Sequence, residues 1–142
     1  MVHGRVMGLD VGDRRIGVAF SDTLGMIATG FSTLVRKNKT YDVDMLATWA
    51  RERDASRIVV GWPLEPSGKP GRQAQRVQDF VALLTTNLSL PVDYWDERMT
   101  SIQAERALLE AGTRRSKRRL TVDKVAATLI LQSWLDAHPS TD

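Results

Sequence analysis

The stretch RVMGLDVGDRRIGVAF, from Arg5 to Phe20, contains two apolar runs separated by a short segment of acids, glycines and arginines. Apolar runs of this length bounded by turn residues are typical of β-strands. The stretch therefore predicts a hairpin with strands at Arg5–Asp10 and Arg15–Ser21. A tight turn needs only one or two polar or glycine residues. The additional acid and the two adjacent arginines indicate that the charged side chains of this turn also have a function.

Beyond the hairpin, the hydrophobic pattern predicts one more strand and then alternating helices and strands. The expected elements are strands at Met26–Val35, Arg57–Val60 and Pro91–Trp95, helices at Asp42–Arg53, Arg72–Leu88, Thr100–Ala111 and Thr121–Ala137, and an irregular loop at Gly61–Gly71. Such an order indicates the α/β class, with a mixed five-stranded sheet of three antiparallel strands followed by parallel strands. Helices are expected on both faces of the sheet. A chain of 142 residues is expected to form a single domain, 1–142.

The composition excludes several classes of chemistry. The chain has no cysteine and only two histidines, His3 and His138, both near its ends. Thiolate nucleophiles, thiolate zinc sites and Ser-His-Asp triads are therefore not expected. No apolar run approaches the ~18 residues of a membrane span, so we expect no membrane partner. The absence of cysteine and of a visible signal peptide favours a cytoplasmic location.

Acidic residues fall at the ends of three predicted elements. Asp10 ends the first strand, Asp96 and Glu97 end the fifth, and Asp123 lies in the first turn of the last helix. Ligands of open α/β sheets bind at the carboxyl ends of parallel strands, so these acids could meet at one edge. Neighbouring carboxylates need a cation to offset their repulsion, and oxygen ligands favour Mg²⁺ or Mn²⁺. Alternatively, each acid has a purely structural function. Asp10 would accept turn hydrogen bonds, Asp96 or Glu97 would pair with Arg98 on the surface, and Asp123 would complement the helix dipole.

Basic residues concentrate in two places. The formal net charge is +3, and one run contains Arg114, Arg115, Lys117, Arg118 and Arg119. We expect this run in a loop between the last two helices, where it would suit a polyanion or would simply be solvated. The second place is the hairpin turn, where Arg14 and Arg15 could touch a polyanion near Asp10. Two tryptophans near the expected acidic edge, Trp62 and Trp95, could stack on bases.

Four motifs occur in the order seen in one protein family. They are GLDVGDRRIGVAFSD at 8–22, IVVGWPLEPSG at 58–68, DERMTS at 96–101 and VDKVAATLILQSWL at 122–135. From about Val6 to Leu135 the chain resembles the YqgF/RuvX family. These are bacterial RNase H-like proteins described as Holliday junction resolvases or pre-16S rRNA nucleases.

The resemblance implies an RNase H-like fold and metal-dependent phosphodiester hydrolysis. It maps the family's catalytic acids, which are also its metal ligands, onto Asp10, Glu97 and Asp123. Arg98 and Thr100 follow as nucleic-acid-binding neighbours of the site, and Asp96 is the alternative to Glu97 as ligand.

The chain departs from the family pattern at Trp62, at Met99 and at the segment EPSG. RuvC resolvases carry a fourth acid on the last helix, where this chain has Ala126. Three acids would hold a second metal less tightly than four.

We therefore predict a nuclease that uses Mg²⁺ or Mn²⁺ on structured nucleic acid, with pre-16S rRNA processing as the favoured function. Holliday junction resolution is the first alternative. It requires two active sites facing one four-way DNA junction and hence a homodimer. A non-catalytic RNA-binding factor with the same fold is the second alternative.

Overall fold

The computed structural model describes residues 3–64, 67–100 and 115–139, with side chains in the last range described from residue 123 onward. Its strands are β1 (Arg5–Val11), β2 (Arg15–Ser21), β3 (Ala28–Val35), β4 (Ala55–Trp62) and β5 (Val92–Asp96). Its helices are α1 (Lys39–Glu52), α2 (Arg72–Asn87) and α3 (Arg115–Ala137), and a single 3₁₀ turn (Glu97–Met99) follows β5.

The five strands form one mixed sheet in the order β3-β2-β1-β4-β5. The β1–β2 and β2–β3 pairs are antiparallel, whereas β1–β4 and β4–β5 are parallel. The predicted hairpin and the predicted sheet composition are both confirmed. Because β1, β4 and β5 run in the same direction, their carboxyl ends share one edge of the sheet. Asp10 and the 3₁₀ turn that contains Glu97 both lie at that edge.

The sheet separates two hydrophobic clusters, and this confirms helices on both of its faces. The first cluster packs the sheet against α1 and α2, and the second packs it against α3. Along β1, Met7 and Leu9 belong to the first cluster and Val6 to the second. Side chains alternate along a strand, so Asp10 shares the face of Val6. Asp10 therefore faces α3.

The structure corrects the predicted end of β4. The strand continues through Gly61 and Trp62, which pair with Trp95 and Asp96 of β5. The prolines that prevent regular structure begin only at Pro63, so the main chain up to Trp62 remains free to form ladder hydrogen bonds. Gly61 is thus a strand residue and not the first residue of a loop.

The starts of the third strand and of the first helix also differ from the prediction. The third strand begins at Ala28, because the Asp22 carboxylate accepts hydrogen bonds from the N–H groups of Met26 and Ile27 and holds them in a turn. The first helix begins at Lys39, three residues before the predicted start. The side chain of Asn38 caps it by accepting a hydrogen bond from the N–H of Tyr41.

The last helix begins at Arg115 and not at Thr121, so the expected basic loop is wrong for Arg115, Lys117, Arg118 and Arg119. Lysine and arginine are good helix formers, and the helix continues through them. Arg114 and positions 101–111 of the predicted fourth helix lie outside the described residues. No helix in the described part of the chain is long and apolar enough to cross a membrane.

Candidate active site

Asp10 is the most buried of the predicted acids, with 8% of its surface exposed near the carboxyl end of the central strand β1. On one side it pairs with Gly17 of β2. On the other side β1 and β4 pair in register up to Leu9 and Val60, and one further residue brings Gly61 beside Asp10. Asp10 therefore lies between two glycines on neighbouring strands.

Gly17 admits the main chain of Asp123. A Cβ at Gly17 would lie 1.9 Å from the carbonyl oxygen of Asp123, well inside van der Waals contact. Helix α3 thus rests on the backbone of β2 at the position that pairs with Asp10. Any side chain at position 17 would push this part of the helix away from the sheet.

Gly61 admits the side chain of Glu97. A Cβ at Gly61 would lie 2.9 Å from Glu97 Oε1 and 2.6 Å from Ile130 Cδ1 on α3. The carboxyl group of Glu97 therefore lies over the backbone of β4, on the face that Asp10 also occupies. The two glycines that flank Asp10 thus leave room for the backbone of Asp123 on one side and for the carboxyl group of Glu97 on the other.

The Asp123 carboxylate is engaged by Arg15, whose Nε donates a hydrogen bond to Asp123 Oδ2 at 2.7 Å. Both side chains are largely buried, with 27% of Arg15 and 18% of Asp123 exposed. Within residues 3–64, 67–100 and 115–139, no three Asp, Glu or His side chains are grouped closely enough to hold a metal ion. The structure brings the backbone of Asp123 to the site, while its carboxylate is turned toward Arg15.

Asp96 is engaged away from this cluster. Its Oδ2 accepts a hydrogen bond from Arg98 Nη2 at 2.8 Å, and its Oδ1 caps the 3₁₀ turn through the N–H of Arg98 at 2.9 Å. The hydrogen bond from the Arg98 side chain is the main reason why the pKa of Asp96 is lowered from 3.8. Of the two acids at the end of β5, Glu97 is the one placed beside Asp10.

Thr100 closes the turn that presents Glu97. Its hydroxyl donates a hydrogen bond to the carbonyl oxygen of Glu97 at 2.7 Å, and its N–H bonds to the same oxygen at 3.2 Å. The guanidinium of Arg98 approaches the loop after β4, where a Cβ at Gly68 would lie 3.3 Å from Arg98 Nη1. The DERMTS motif therefore fixes Glu97 from both sides, through Asp96 and through Thr100.

The remaining basic residues and the tryptophans take different positions. Arg14 is exposed in the hairpin turn, next to Arg15. Trp95 donates a hydrogen bond to Ser133 of α3 and belongs to the packing of that helix. Trp62 pairs edge-on with Tyr94, with ring centroids 4.7 Å apart. Trp62 alternates with Gly61 along β4, so it lies on the opposite face of the sheet from the acids and not beside them.

The donor chemistry at this edge fits a hard divalent cation. Asp10, Glu97 and Asp123 would supply carboxylate oxygens only, which Mg²⁺ and Mn²⁺ prefer. The fit of position is partial, because Asp123 must leave Arg15 to join the other two. A cation would thus compete with a guanidinium for one carboxylate.

The function of Gly17 and Gly61 at this site was not predicted from the sequence. The available signal was a glycine inside a strand pattern, in RIGVAF and in IVVGW. Such a glycine often marks the close approach of another backbone or ligand. The ion pair of Arg15 with Asp123 was not predicted either, because the two residues are 108 positions apart and no sequence pattern links them.

Curated relatives match most of the chain. A protein of Clostridium novyi (strain NT) is 47% identical over 133 residues, which cover 94% of this chain and 98% of the relative. A protein of Myxococcus xanthus (strain DK1622) is 45% identical over 140 residues, covering 97% of this chain and 93% of the relative. Both relatives bear the name "Putative pre-16S rRNA nuclease".

Solved structures share the fold. RuvC of Thermus thermophilus in complex with a Holliday junction substrate superposes with a TM-score of 0.62 at 10% identity, covering 98% of this chain and 99% of RuvC. A second structure of RuvC from Thermus thermophilus superposes with a TM-score of 0.54 at 12% identity, covering 94% of this chain and 96% of RuvC. These likenesses confirm the predicted RNase H-like fold. The profile of one nuclease family, RuvX, described as Holliday junction resolvase, matches residues 4–137. The resemblance expected from the four motifs is thereby confirmed, and the chain belongs to the RuvX family.

Proposed function

We propose that this chain is a divalent-metal-dependent nuclease that acts on structured RNA and processes precursor 16S rRNA. One observation carries the proposal: Asp10 lies between Gly17 and Gly61, whose missing side chains admit the backbone of Asp123 and the carboxyl group of Glu97. Three acids distant in sequence thus approach one sheet edge. The names of the curated relatives support the substrate. Processing of rRNA would take place in the cytoplasm.

In this proposal Asp10, Glu97 and Asp123 hold Mg²⁺ or Mn²⁺. Such ions activate water and stabilise the leaving oxygen in phosphodiester hydrolysis. The chain itself supplies the positioning. Asp10 places a buried carboxylate near the end of β1, and Thr100 and Asp96 fix the turn that carries Glu97. Arg15 neutralises the Asp123 carboxylate when no cation competes for it.

We further propose that basic residues around this edge bind phosphates of the substrate. They are Arg14, Arg15 and Arg98 near the acids, Arg115, Lys117, Arg118 and Arg119, whose backbone begins α3, and Arg114, which lies outside the described residues. Contacts of this kind predict binding that weakens steeply with salt.

Replacement of Asp10 by asparagine tests the proposal. The substitution keeps the shape of the side chain and removes its charge. We expect the cleavage rate of precursor 16S rRNA with Mg²⁺ or Mn²⁺ to fall by roughly a thousandfold, about 4 kcal/mol of transition-state stabilisation. The fold and most of the RNA binding should persist, as measured by circular dichroism and fluorescence anisotropy.

The matched control is Asp79→Asn, which removes one exposed carboxylate from the outer side of α2. It should cut at the wild-type rate. Cleavage by Asp10→Asn at the rate of this control would refute the site. A wild-type protein that binds RNA and neither cuts it nor binds Mn²⁺ would instead support a non-catalytic RNA-binding factor.

The description of the family profile favours Holliday junction resolution as a second candidate function. Ala126, where RuvC resolvases carry a fourth acid, is buried in the second hydrophobic cluster with 1% of its surface exposed. That position therefore serves packing. Analytical ultracentrifugation combined with cleavage of a four-way DNA junction separates the two functions. A monomer that cuts precursor rRNA would exclude the junction function, whereas a dimer that makes symmetric cuts in the junction would establish it.

A further inference from the structure

A groove of about 480 Å³ lies on the outer side of the hairpin turn, between β2, β3 and the start of α1. Its charged lining comprises five basic residues, Arg14, Arg15, Arg36, Lys37 and Lys39, and two acids, Asp13 and Asp42. We call it the basic groove. Of its charged residues, only Arg14 and Arg15 were predicted from the sequence to contact a polyanion.

Both acids of the basic groove are neutralised. Asp42 is buried, and its carboxylate accepts hydrogen bonds from Arg36 Nε at 2.9 Å and from the N–H of Lys37 at 3.0 Å. Asp13 pairs with Arg76 of α2 at 3.2 Å. The acids therefore fix the walls of the groove and leave little negative potential inside it.

Three cations of the groove remain uncompensated. Arg14, Lys37 and Lys39 are exposed, and none of them forms an ion pair with another described residue. Lys37 Nζ lies 4.4 Å from the centre of the Tyr41 ring, which orients the ammonium group without neutralising it. The groove thus presents three positive charges to solvent on one concave surface.

The walls that carry these cations are held by main-chain contacts. The N–H of Arg36 donates to the carbonyl oxygen of Arg14 at 2.9 Å, and Arg36 Nη1 donates to the carbonyl oxygen of Gly12 at 2.8 Å. Helix α1 begins at the groove, so the positive end of its dipole points into the same space. The backbone from which the cations project is therefore fixed before any ligand binds.

The basic groove adjoins the candidate active site through Arg15. Arg15 belongs to the lining of the groove and also donates a hydrogen bond to Asp123. A chain of phosphates that leaves the acids can therefore pass over the hairpin turn and enter the groove. Successive phosphodiesters are the anion that matches several spaced cations of this kind.

We propose that the basic groove binds about three consecutive phosphates of the RNA strand that flanks the cleaved bond, through Arg14, Lys37 and Lys39. This inference rests on the proposed nuclease function for its choice of RNA. It assigns the hairpin turn and the start of α1 to substrate binding and not to catalysis. The groove therefore governs affinity and its dependence on salt.

The test measures equilibrium binding, so it does not depend on cleavage. Two proteins are titrated onto a fluorescent RNA hairpin at a series of salt concentrations. One carries Asp10→Asn alone, and the other carries Asp10→Asn together with Lys37→Gln and Lys39→Gln. Loss of two phosphate contacts should weaken binding about 25- to 60-fold at about 0.1 M salt. The slope of log K against log salt should become shallower by about 1.4 to 1.8.

The matched control is Arg5→Gln/Arg51→Gln, which removes the same charge at the other end of the molecule. Arg51 lies about 18 Å from Lys39 along α1, beyond the Debye length of ~10 Å at 0.1 M salt. This control should keep its RNA affinity within about threefold. Equal losses in the two double variants would reduce the effect to net charge and overturn the proposal.

Two further arms separate this inference from the proposed function. A DNA hairpin of the same sequence and a four-way DNA junction are titrated in parallel. A loss confined to the DNA ligands, with RNA binding unchanged, would overturn the assignment to RNA. If the protein with native Asp10 cuts no RNA and the lysine variant still loses RNA affinity, the groove stands and the nuclease function fails.

Discussion

The two faces of the sheet are built from different residues. Toward α1 and α2 the strands present large apolar side chains, which are Met7, Leu9, Ile16, Val18, Ile58 and Val60. Toward α3 they present four glycines, which are Gly8, Gly17, Gly30 and Gly61. A Cβ at each of these glycines would come within 3.0 Å of an atom of α3. One face is filled by side chains, and the other lets a helix approach the backbone.

The difference separates stability from function. Burial of bulky side chains toward α1 and α2 supplies the larger share of the hydrophobic free energy. The glycines toward α3 contribute little burial, but they bring the backbone of Asp123 and the side chain of Glu97 next to Asp10. Substitutions on the first face should therefore change stability, and substitutions on the second should change activity.

The largest loss of stability is expected from Leu84→Ala. Leu84 lies on α2, is fully buried in the first cluster and is remote from the acids. Truncation of a buried leucine costs about 2 to 5 kcal/mol of unfolding free energy, measurable by urea denaturation. The cleavage rate of the folded fraction should stay within about twofold of the wild type. A large loss of rate at full folding would contradict the separation of the two faces.

Gly17→Ala should have the opposite balance, with a smaller loss of stability and a larger loss of cleavage rate than Leu84→Ala. The added methyl group meets the main chain of Asp123, which cannot rotate away as a side chain can. We expect a cost of about 1 to 3 kcal/mol in stability. The cleavage rate should fall at least tenfold, because the part of α3 that carries Asp123 is displaced from Asp10.

Gly30→Ala is the matched control on the same face. Its methyl group would meet mainly the Lys124 side chain, with Cγ at 2.8 Å, and that chain is flexible. Rate and stability should both change less than in Gly17→Ala. If the two alanine variants lose activity equally, close approach at Gly17 is not what positions the acids.

These glycines also mark where sequence reasoning stopped. The apolar run that begins at Arg5 predicted a strand that ends at Asp10, and the order of the later elements predicted a shared edge with the end of the fifth strand. The pattern could not reveal that Gly17 and Gly61 flank Asp10, because register between strands depends on tertiary pairing. The start of α3 was missed because a run of arginines and lysines was interpreted as a solvated loop.

A smaller effect is expected from Arg15→Gln, which frees the Asp123 carboxylate on the functional face. The guanidinium and a divalent cation compete for the same oxygens. Removal of the guanidinium should therefore tighten Mn²⁺ binding about fivefold, equivalent to about 1 kcal/mol, in isothermal titration calorimetry. Arg57→Gln, which frees Asp93 at a distance from the site, is the control. Unchanged Mn²⁺ affinity in Arg15→Gln would show that Asp123 is not a ligand.

The smallest effect concerns Asp96 and the pH dependence of stability. Hydrogen bonds from Arg98 lower the pKa of Asp96 below 3.8 in the folded state. The ionised pair therefore stabilises the protein above that pH, and the contribution is lost as the pH falls through the lowered pKa. Asparagine retains an oxygen that can cap the 3₁₀ turn, so Asp96→Asn removes the charge and the Oδ2 acceptor of Arg98 and keeps the cap. Urea denaturation at about pH 7 should show the variant slightly less stable than the wild type, and this difference in stability should shrink as the pH falls below 3.8. If the difference in unfolding free energy between the two proteins does not change with pH, the charge of Asp96 does not contribute to stability. If the difference grows in acid, the ion pair is contradicted.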